Sequence, residues 1–542
     1  MIRKLFVWLW RSSDGVRLKL LIDTLCGLLY IGASLSFVYF SKEAIDYATH
    51  GGLAQSKLFV YGAILLFFFL AELGFDIISN WIENQTEIIL KNQIRHRIYK
   101  HLMHVTWEEW EQFHSGDVLN RLEEDVRIVS ETLCKSVPQL FVCCVEVIAA
   151  FIFLYNMNPM LAWSIIFIMP IFLVASKLFF FRMRKLTKDI RSTDSQVQSV
   201  MQESLQHHLL IQSMEQNNVF ANRLGNLQDT LYGQTMNRTR FNLFSRGMVS
   251  IGFIGGYMTA FLWGLSGLQQ GIITYGMMTA FLQLVNRIQR PTVDMSRLIP
   301  SFVHSSASID RLEELEVLNG KIPGTAKMLD GTAGIRIEQI TFRYKNGERD
   351  IYQNFSYDFK PGSRTAIIGE TGTGKSTLVK LILSVLYPQN GNIFIYNKEE
   401  TVESLPETRG NLVYVPQGNS LLSGTIRGNL LLGNANATEE EMWEALHIAA
   451  ADFVADLPLK LDARCGEWGD GLSEGQAQRI AIARGLLRPG SIILLDEFSS
   501  SLDAETERTL TERLMHAMQG KTMIFITHRN LILSYCDNVL RL

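Results

Sequence analysis

The 542-residue sequence is poor in charge, because Asp, Glu, Lys and Arg make up 19% of it against 47% hydrophobic residues. Soluble domains usually carry about 25% charged residues, so this composition is closer to that of a membrane protein. The net charge of −3 gives no electrostatic reason to expect nucleic acid as a partner. The six cysteines have no metal-ligand spacing, and most lie among apolar residues, which favours small buried side chains over a metal site.

The chain divides by composition into two halves. Residues 1–300 contain long apolar runs, whereas from residue 335 onward the runs are short and bounded by Gly, Pro and charges. The stretch N-G-K-I-P-G-T-A-K-M-L-D-G-T-A-G between them has the composition of a linker. We therefore expect a membrane domain over residues 1–318, a linker over 319–334 and a second domain over 335–542.

Several segments of the first half are long and apolar enough to cross a bilayer, which takes about 20 residues in a helix. The last of them is the least apolar. Together they predict an α-helical polytopic membrane domain with long cytosolic helix extensions. The six predicted spans lie near residues 20–40, 58–82, 137–155, 161–181, 248–268 and 277–299.

Lys and Arg concentrate before the first span and in the two long connections, residues 83–136 and 182–247. The other connections are short and carry few of them. By the positive-inside rule, both termini and the second half lie in the cytoplasm. We expect an integral protein of a bacterial inner membrane. A soluble protein with an apolar helical bundle is the alternative, and extraction with and without detergent separates the two.

The second half contains a glycine-rich loop in a strand–loop–helix context. A β-prone run ends at Gly369, residues 369–376 read G-E-T-G-T-G-K-S, and a helix-prone segment follows. Glycines allow backbone N–H groups to turn onto phosphates. Lys375 is placed to supply charge to the β- and γ-phosphates, and the Ser376 hydroxyl suits Mg²⁺. This pattern predicts a nucleotide site.

A second apolar strand, I-I-L-L-D-E at residues 492–497, ends on two carboxylates. Asp496 suits the water shell of Mg²⁺, and Glu497 suits a general base for an attacking water. His528 follows another apolar strand, from whose end it could reach a γ-phosphate. Taken alone, His528 would equally fit a solvated loop.

With L-S-E-G-Q at residues 472–476, these motifs are specific enough to name a family. The chain resembles an ATP-binding cassette exporter of the half-transporter kind over essentially its whole length. The resemblance implies six membrane helices followed by one α/β P-loop ATPase domain. It also implies ATP and Mg²⁺ as the bound ligand and cofactor. Residues 115–121 resemble the first coupling helix, and residues 212–218 resemble the second more weakly.

The resemblance assigns roles to individual residues. Tyr344 in F-R-Y matches the aromatic that stacks on adenine, and Asp503 in S-S-L-D matches the loop that joins the two sites. Gln417 in Y-V-P-Q matches the glutamine that touches Mg²⁺ and senses the membrane domain. The expected ATP contacts are Tyr344, Gly369, Glu370, Thr371, Gly372, Thr373, Gly374, Lys375, Ser376, Thr377, Ser473, Gly475 and Gln476.

Two smaller sets complete the expected site. The implied Mg²⁺ ligands are Ser376, Gln417 and Asp496, and the implied catalytic residues are Glu497, His528 and Gln417. One residue departs from the family pattern, since the signature loop usually has Gly where this chain has Glu474. If its φ is negative and its side chain points to solvent, the N–H of Gly475 remains available. A carboxylate near a triphosphate would still weaken ATP binding by like-charge repulsion.

The resemblance also implies a partner, because in this family the signature loop of one subunit completes the ATP site of another. A chain with one of each motif must pair, and a second copy suffices. We expect a homodimeric exporter that moves a hydrophobic or amphipathic substrate, drug-like or lipid, out of the cytoplasm or inner leaflet. Peptides or lipid-linked sugars are alternative substrates. A non-hydrolytic channel or regulatory ATPase is disfavoured because such proteins usually lack the glutamate or the histidine.

Three carboxylates, Glu72, Asp76 and Glu146, lie inside the apolar spans. A spacing of four puts Glu72 and Asp76 on one face of a helix. Charged groups inside a membrane are costly, and their presence suggests function. An acidic substrate cavity would favour cationic amphiphiles or a basic peptide. Hydrogen bonds to neighbouring helices or exposure to cytosolic water would explain the same residues, and the sequence leaves this open.

Overall fold

The computed structural model describes residues 2–49, 55–320, 324–345, 347, 349–370, 372–466 and 471–542. The chain forms two units. One comprises Met1–Lys100 and Ser115–Val317, and the other comprises His101–His114 and Leu318–Leu542. A short segment that precedes Ser115 in the first half of the sequence therefore belongs to the second unit.

The first half of the chain is built from helices, several of them far longer than the helices of ordinary soluble domains. Two π-helical turns, Arg121–Asp125 and Thr132–Ser136, link α5, α6 and α7 into one continuous helix. The helices are α1 (Ile2–Ser12), α2 (Arg17–Thr49), α3 (Gln55–Leu102), α4 (Trp107–Trp110), α5 (Ser115–Asn120), α6 (Val126–Glu131), α7 (Val137–Met157), α8 (Pro159–Gln206), α9 (His208–Ser213), α10 (Asn217–Gln269) and α11 (Tyr275–Glu316).

Four helical segments in the described part of the chain are long and apolar enough to cross a membrane, namely Arg17–Thr49, Phe59–Leu102, Ser115–Met157 and Asn217–Gln269. They overlap the first, second, third and fifth predicted spans. The fourth predicted span lies in α8, where the side chains of residues 165–181 are outside the described part. The sixth lies in α11, which is not among the four. A total of six spans stays a prediction.

The apolar side chains of the first unit divide between a core and an outer surface. The core joins α2, α7, α8, α10 and α11, and includes Leu154, Phe281 and Val285, all fully buried. The outer surface includes Phe59 and Phe67 on α3, which are 74% and 66% exposed. Exposed apolar surface of this extent fits side chains that face lipid.

Polar contacts join α11 to the helix that runs from α5 to α7. The Ser301 hydroxyl lies 3.2 Å from Thr132 Oγ1 and 3.1 Å from Ser136 Oγ. About two turns further along the pair, the buried carboxylate of Asp125 accepts from Ser308 Oγ at 2.8 Å and from Arg311 Nε at 2.8 Å. The buried charge is thus fully paired, as burial of a carboxylate requires.

The second unit contains a five-stranded parallel sheet in the order β11-β3-β10-β9-β6 and a four-stranded antiparallel sheet in the order β2-β1-β4-β5. The strands are β1 (Gly334–Phe342), β2 (Tyr352–Phe359), β3 (Arg364–Ile368), β4 (Asn390–Tyr396), β5 (Thr401–Glu403), β6 (Leu412–Val415), β7 (Gly424–Thr425), β8 (Arg464–Cys465), β9 (Ile492–Asp496), β10 (Thr522–Ile526) and β11 (Asn538–Arg541).

Helices cover the parallel sheet, and its central strands β9 and β10 are buried along their whole length. Their sequences, I-I-L-L-D and T-M-I-F-I, are nearly continuous apolar runs, as expected for parallel strands covered on both faces. The helices of the second unit, besides α4, are α12 (Lys375–Ile382), α13 (Ile426–Leu431), α14 (Glu439–Ile448), α15 (Glu474–Leu486), α16 (Ala504–Ala517) and α17 (Asn530–Leu533).

The segment that resembles the first coupling helix in sequence is part of a long helix of the first unit. Residues 115–121 begin the long helix of the first unit, because Ser115 starts α5 and the chain continues without a break into α7. The preceding segment, with α4, belongs to the second unit and packs within it. Lys380 of α12 places its Nζ 3.5 Å from Glu111 Oε1 and 5.5 Å from the centre of the Trp107 ring. Residues 107–111 therefore pack on α12 within the second unit, whereas residues 115–121 lie in the first.

Candidate functional site

The residues that the sequence singled out in the second half collect at one edge of the parallel sheet. Strands β3, β10, β9 and β6 all run in the same direction. Because their carboxyl ends meet at one edge, the segments that follow them are neighbours. These segments contain the glycine-rich loop after β3, Gln417 after β6, Glu497 after β9 and His528 after β10.

The glycine-rich loop wraps the start of α12. Gly372 and Gly374 adopt left-handed φ values of 90° and 102°. At Gly374 a side chain is excluded, since a Cβ would lie 2.6 Å from Ile351 Cγ2. The Lys375 ammonium donates to the carbonyl oxygens of Gly369 at 2.6 Å and Glu370 at 2.9 Å. A loop of this shape at a helix N-terminus fits a phosphate group. Thr371 lies outside the described residues.

Tyr344 lies beside this loop. Its hydroxyl is 3.2 Å from Thr377 Oγ1, and its ring packs edge-on against Phe342 with the ring centres 5.1 Å apart. Thr377 is buried, while Tyr344 is half-buried and Ser376 is exposed. The residue whose ring is expected to stack on adenine, Tyr344, is thus hydrogen-bonded to the first turn of α12.

The carboxylates after β9 differ in environment. Asp496 is 6% exposed, and burial together with the neighbouring Glu497 raises its pKa to about 6. Glu497 has a left-handed φ of 44° and its N–H donates to the Ile526 carbonyl at 2.9 Å. Gln417 Nε2 donates to Glu497 Oε2 at 2.6 Å, which leaves the oxygen of that amide as an acceptor. Hydroxyl, carboxylate and amide oxygens from Ser376, Asp496 and Gln417 are the donor types that Mg²⁺ prefers.

One residue near Glu497 was missed by the sequence analysis. Gln478 of α15 is fully buried; its Nε2 donates to the Glu497 carbonyl oxygen at 3.1 Å, and its Oε1 accepts from Ser501 Oγ. The backbone of Glu497 is therefore held on both sides. Nothing in the local sequence marks Gln478, because its partner lies 19 positions away in the chain.

The signature residues form the start of α15. The Ser473 hydroxyl caps the helix by accepting from Gln476 N at 3.2 Å, while Gln476 Oε1 accepts from Ser473 N at 2.9 Å. Glu474 is exposed within the helix and is not among the residues with positive φ. The Glu474 side chain therefore does not change the backbone at Gly475, whose N–H remains available to a ligand. A Cβ on Gly475 would lie 3.0 Å from Ser501 O, so a larger residue there would force the neighbouring backbone to shift slightly.

Two further predicted residues lie at the ends of elements. His528 is exposed directly after β10. Asp503 caps α16, accepting from the Thr506 N–H at 2.9 Å. Neither is bonded to the glycine-rich loop in the part of the chain that the structure describes.

The carboxylates of the first unit lie around a cavity of about 830 Å³. Arg287 of α11 joins two of them, with Nη2 2.8 Å from Glu72 Oε1 and Nη1 3.4 Å from Glu146 Oε1. Asp76 lines the same cavity. Glu72 and Glu146 thus contact a residue on another helix, which is one of the alternatives that the sequence left open. The sequence did not single out Arg287, because it lies in the least apolar predicted span, where a basic residue is less unusual than in a strongly apolar one.

The cavity lining contains more acids than bases. It holds six carboxylates against three basic groups, a formal excess of three negative charges. The charged residues of the lining are Asp23, Glu72, Asp76, Glu83, Glu146, Asp294, Lys135, Arg287 and Arg290.

Comparison with known proteins agrees with these two units. Residues 20–292 match the ABC transporter transmembrane region, and residues 352–500 match the ABC transporter family of ATP-binding domains. A multidrug export ATP-binding/permease protein of Staphylococcus aureus is 26% identical over 542 residues, covering 96% of this chain and 92% of the relative. An export ATP-binding/permease protein of Rickettsia bellii is 28% identical over 481 residues, covering 85% of this chain and 81% of the relative.

A solved structure shares the fold across both units. The structure of a bacterial Atm1-family ABC exporter with ATP bound superposes with a TM-score of 0.81 at 22% identity, covering 97% of this chain and 94% of that one. The chain therefore belongs to the ATP-binding cassette transporters, as an integral membrane exporter of the half-transporter type that couples ATP hydrolysis to transport.

Proposed function

We propose that two copies of this chain form an exporter that hydrolyses ATP at two composite sites and moves a hydrophobic or amphipathic substrate out of the cytoplasm or inner leaflet. The observation that carries the proposal is the sheet edge where the glycine-rich loop and the Gln417–Glu497 pair meet. The relatives named for multidrug export support the substrate class. The loop charges support a bacterial inner membrane with the termini and ATPase domain in the cytoplasm.

Each chain contributes two different parts to ATP binding. The loop at Gly369–Thr377 provides backbone N–H groups and the Lys375 ammonium for the phosphates. The side chains of Gln476 and Ser473 take up each other's N–H groups, so the N–H groups of Glu474 and Gly475 are the ones at the start of α15 that can face an external anion. A γ-phosphate on a second copy is the ligand that this arrangement favours.

The residues around Glu497 fit a role in hydrolysis. The bond from Gln417 holds the Glu497 carboxylate at the sheet edge, where it can accept a proton from an attacking water. Lys375 leaves its own loop carbonyls to neutralise the phosphates, and His528 lies at the end of the adjacent strand. Mg²⁺, held by Ser376, Gln417 and Asp496, would neutralise charge on the β- and γ-phosphates.

Hydrolysis by Glu497 is tested with Glu497→Gln in lipid nanodiscs. We expect ATP binding to persist while hydrolysis falls by about 10²–10⁴-fold, the range for loss of a general base. Glu505→Gln, an exposed acid in the first turn of α16, is the matched control and should keep normal turnover. Normal turnover in Glu497→Gln would remove Glu497 from the mechanism, and transport without ATP hydrolysis would overturn the proposed function.

A further inference from the structure

The guanidinium of Arg287 occupies a site shaped for a cation. Glu72 and Glu146 approach it from α3 and α7, at 2.8 Å and 3.4 Å. The ring of Tyr30 on α2 lies 5.9 Å from Cζ, within the range of a cation–π interaction, and the Tyr30 hydroxyl is 3.4 Å from Nη1. Two carboxylates and one aromatic ring thus surround one organic cation.

The site opens into the cavity. The side chains of Arg287, Glu72 and Glu146 keep 27%, 18% and 14% of their surface exposed, so they are neither sealed in the helix packing nor spread on an open surface. One guanidinium between two carboxylates leaves a negative charge, and the whole lining has an excess of three. An anionic substrate would be repelled by this lining, whereas a cationic one would be attracted.

Arg287 also ties four helices together. It belongs to α11, and its partners lie on α2, α3 and α7. A group that displaced the guanidinium would break these contacts in one step. The released side chain would remain in a cavity with four further carboxylates, Asp23, Asp76, Glu83 and Asp294, so it would not be left without counter-charge.

We propose that the cavity binds the cationic head group of an amphipathic substrate between Glu72 and Glu146, in place of the Arg287 guanidinium. This inference rests on the proposed function, since it names the substrate class of the same exporter. Arg287 acts as a resident competitor: it balances one of the two negative charges when the cavity is empty and sets the affinity for the incoming cation. Binding releases the links from α11 to α2, α3 and α7.

Competition between Arg287 and the substrate predicts that substituting Arg287 and substituting its carboxylate partners change the affinity for a cation in opposite directions. Binding of tetraphenylphosphonium, a lipophilic cation, is measured by calorimetry on nucleotide-free protein in nanodiscs. Arg287→Gln should tighten binding roughly tenfold, because the apparent affinity is the intrinsic affinity multiplied by the fraction of molecules in which Arg287 leaves the site free. Glu72→Gln and Glu146→Gln should each weaken it by a similar factor.

Arg290→Gln is the matched control, because it removes the same charge from the same cavity, whereas Glu72 and Glu146 form their ion pairs in the described residues with Arg287. It should tighten binding far less than Arg287→Gln. Equal tightening would reduce the effect to the overall charge of the cavity, and unchanged or weaker binding in Arg287→Gln would overturn the competition. Tetraphenylborate and triphenylphosphine oxide serve as anionic and neutral probes. Equal binding of either would contradict the cation site.

Two measurements keep these outcomes distinct from misfolding and from failure of the proposed function. The charge-conserving double variant Glu72→Gln/Arg287→Gln removes one charge of each sign, and it should fold while binding the cation no more tightly than the wild type. ATP hydrolysis is recorded on the same samples. An active ATPase without cation binding rejects only the site, whereas absence of both hydrolysis and transport rejects the exporter function.

Discussion

At the scale of single residues, the candidate ATP site depends on an unusual backbone conformation. Glu497 has a left-handed φ of 44°, a region that costs an ordinary residue about 1–2 kcal/mol. Its N–H, its carbonyl and its carboxylate are each bonded, to Ile526, Gln478 and Gln417 respectively. Three hydrogen bonds on one residue offset that strain and direct its side chain, which is the arrangement expected at a functional position.

Asp496 should lower the stability of the nucleotide-free protein at neutral pH. Burial and Glu497 raise its pKa from 3.8 to about 6, so the folded state binds more protons than the unfolded state between these values. By linkage, stability then falls as pH rises through this range and stays low above it. Asp496→Asn should therefore raise stability at pH 7.5 by on the order of 1–3 kcal/mol.

The test of this effect is thermal unfolding of nucleotide-free, metal-free protein between pH 4 and 8. The gain from Asp496→Asn should shrink toward the acidic end, where the wild-type carboxyl is protonated and resembles the amide. Asp503→Asn, at an exposed helix cap, is the control and should show no such gain at neutral pH. A gain that is constant across the pH range would contradict the role of ionisation.

At the scale of elements, α11 pairs with the helix that runs from α5 to α7, and the two π-helical turns of that helix coincide with the polar contacts. Arg121–Asp125 presents Asp125 to Ser308 and Arg311, and Thr132–Ser136 presents two hydroxyls to Ser301. A π turn inserts one residue and so changes the face that the following residues present. The irregular turns therefore bring both polar groups to the same neighbour.

The Asp125–Arg311 pair should stabilise this helix contact. Arg311→Met removes two charge-assisted hydrogen bonds from a carboxylate that is 1% exposed, and the expected loss is about 1–3 kcal/mol in the free energy of unfolding. Thermal unfolding in detergent measures it. Asp125→Asn/Arg311→Met should lose less than the two single variants combined, since no unpaired charge remains. Arg297→Met, at a 75% exposed side chain, is the control; a loss as large as that of Arg311→Met would argue against a specific pair.

At the scale of the whole molecule, the proposed composite sites require two copies of the chain. Lys375→Ala impairs the phosphate loop, and Ser473→Arg blocks the signature loop with a large side chain. A dimer of one chain of each kind would hold one intact site and one doubly impaired site. Its hydrolysis should therefore recover to roughly half the wild-type rate, since one of its two sites is intact.

The mixed dimers are formed by co-expression with two different affinity tags and purified through both. Each variant purified alone should be inactive, which provides the baseline. Absence of any recovery in a verified mixed dimer would contradict sites shared between chains. Full activity in Ser473→Arg alone would show that the signature loop is not required.

Much of the molecule could be predicted because the relevant patterns are local. The apolar runs marked long helices, and the glycine-rich loop and the I-I-L-L-D-E strand marked a nucleotide site within a few residues each. The resemblance to a coupling helix points to residues 115–121, whereas the segment that packs on α12 is residues 107–111, because a motif locates a region of the chain but not the surface that it contacts. The partner of Glu72 and the bond from Gln478 to Glu497 were not predictable, because both join residues that are far apart in the chain.

Sequence alone determined that this protein has a membrane half and an ATPase half, because the length of an apolar run and the residues of a phosphate loop are both properties of consecutive residues. Tertiary structure alone decided what the intramembrane carboxylates contact. Glu72 and Glu146 lie on separate helices and both pair with Arg287 on a third, so their charge is partly balanced, which the sequence does not show. Long-range packing sets the local charge, and the local charge determines which substrates the cavity can accept.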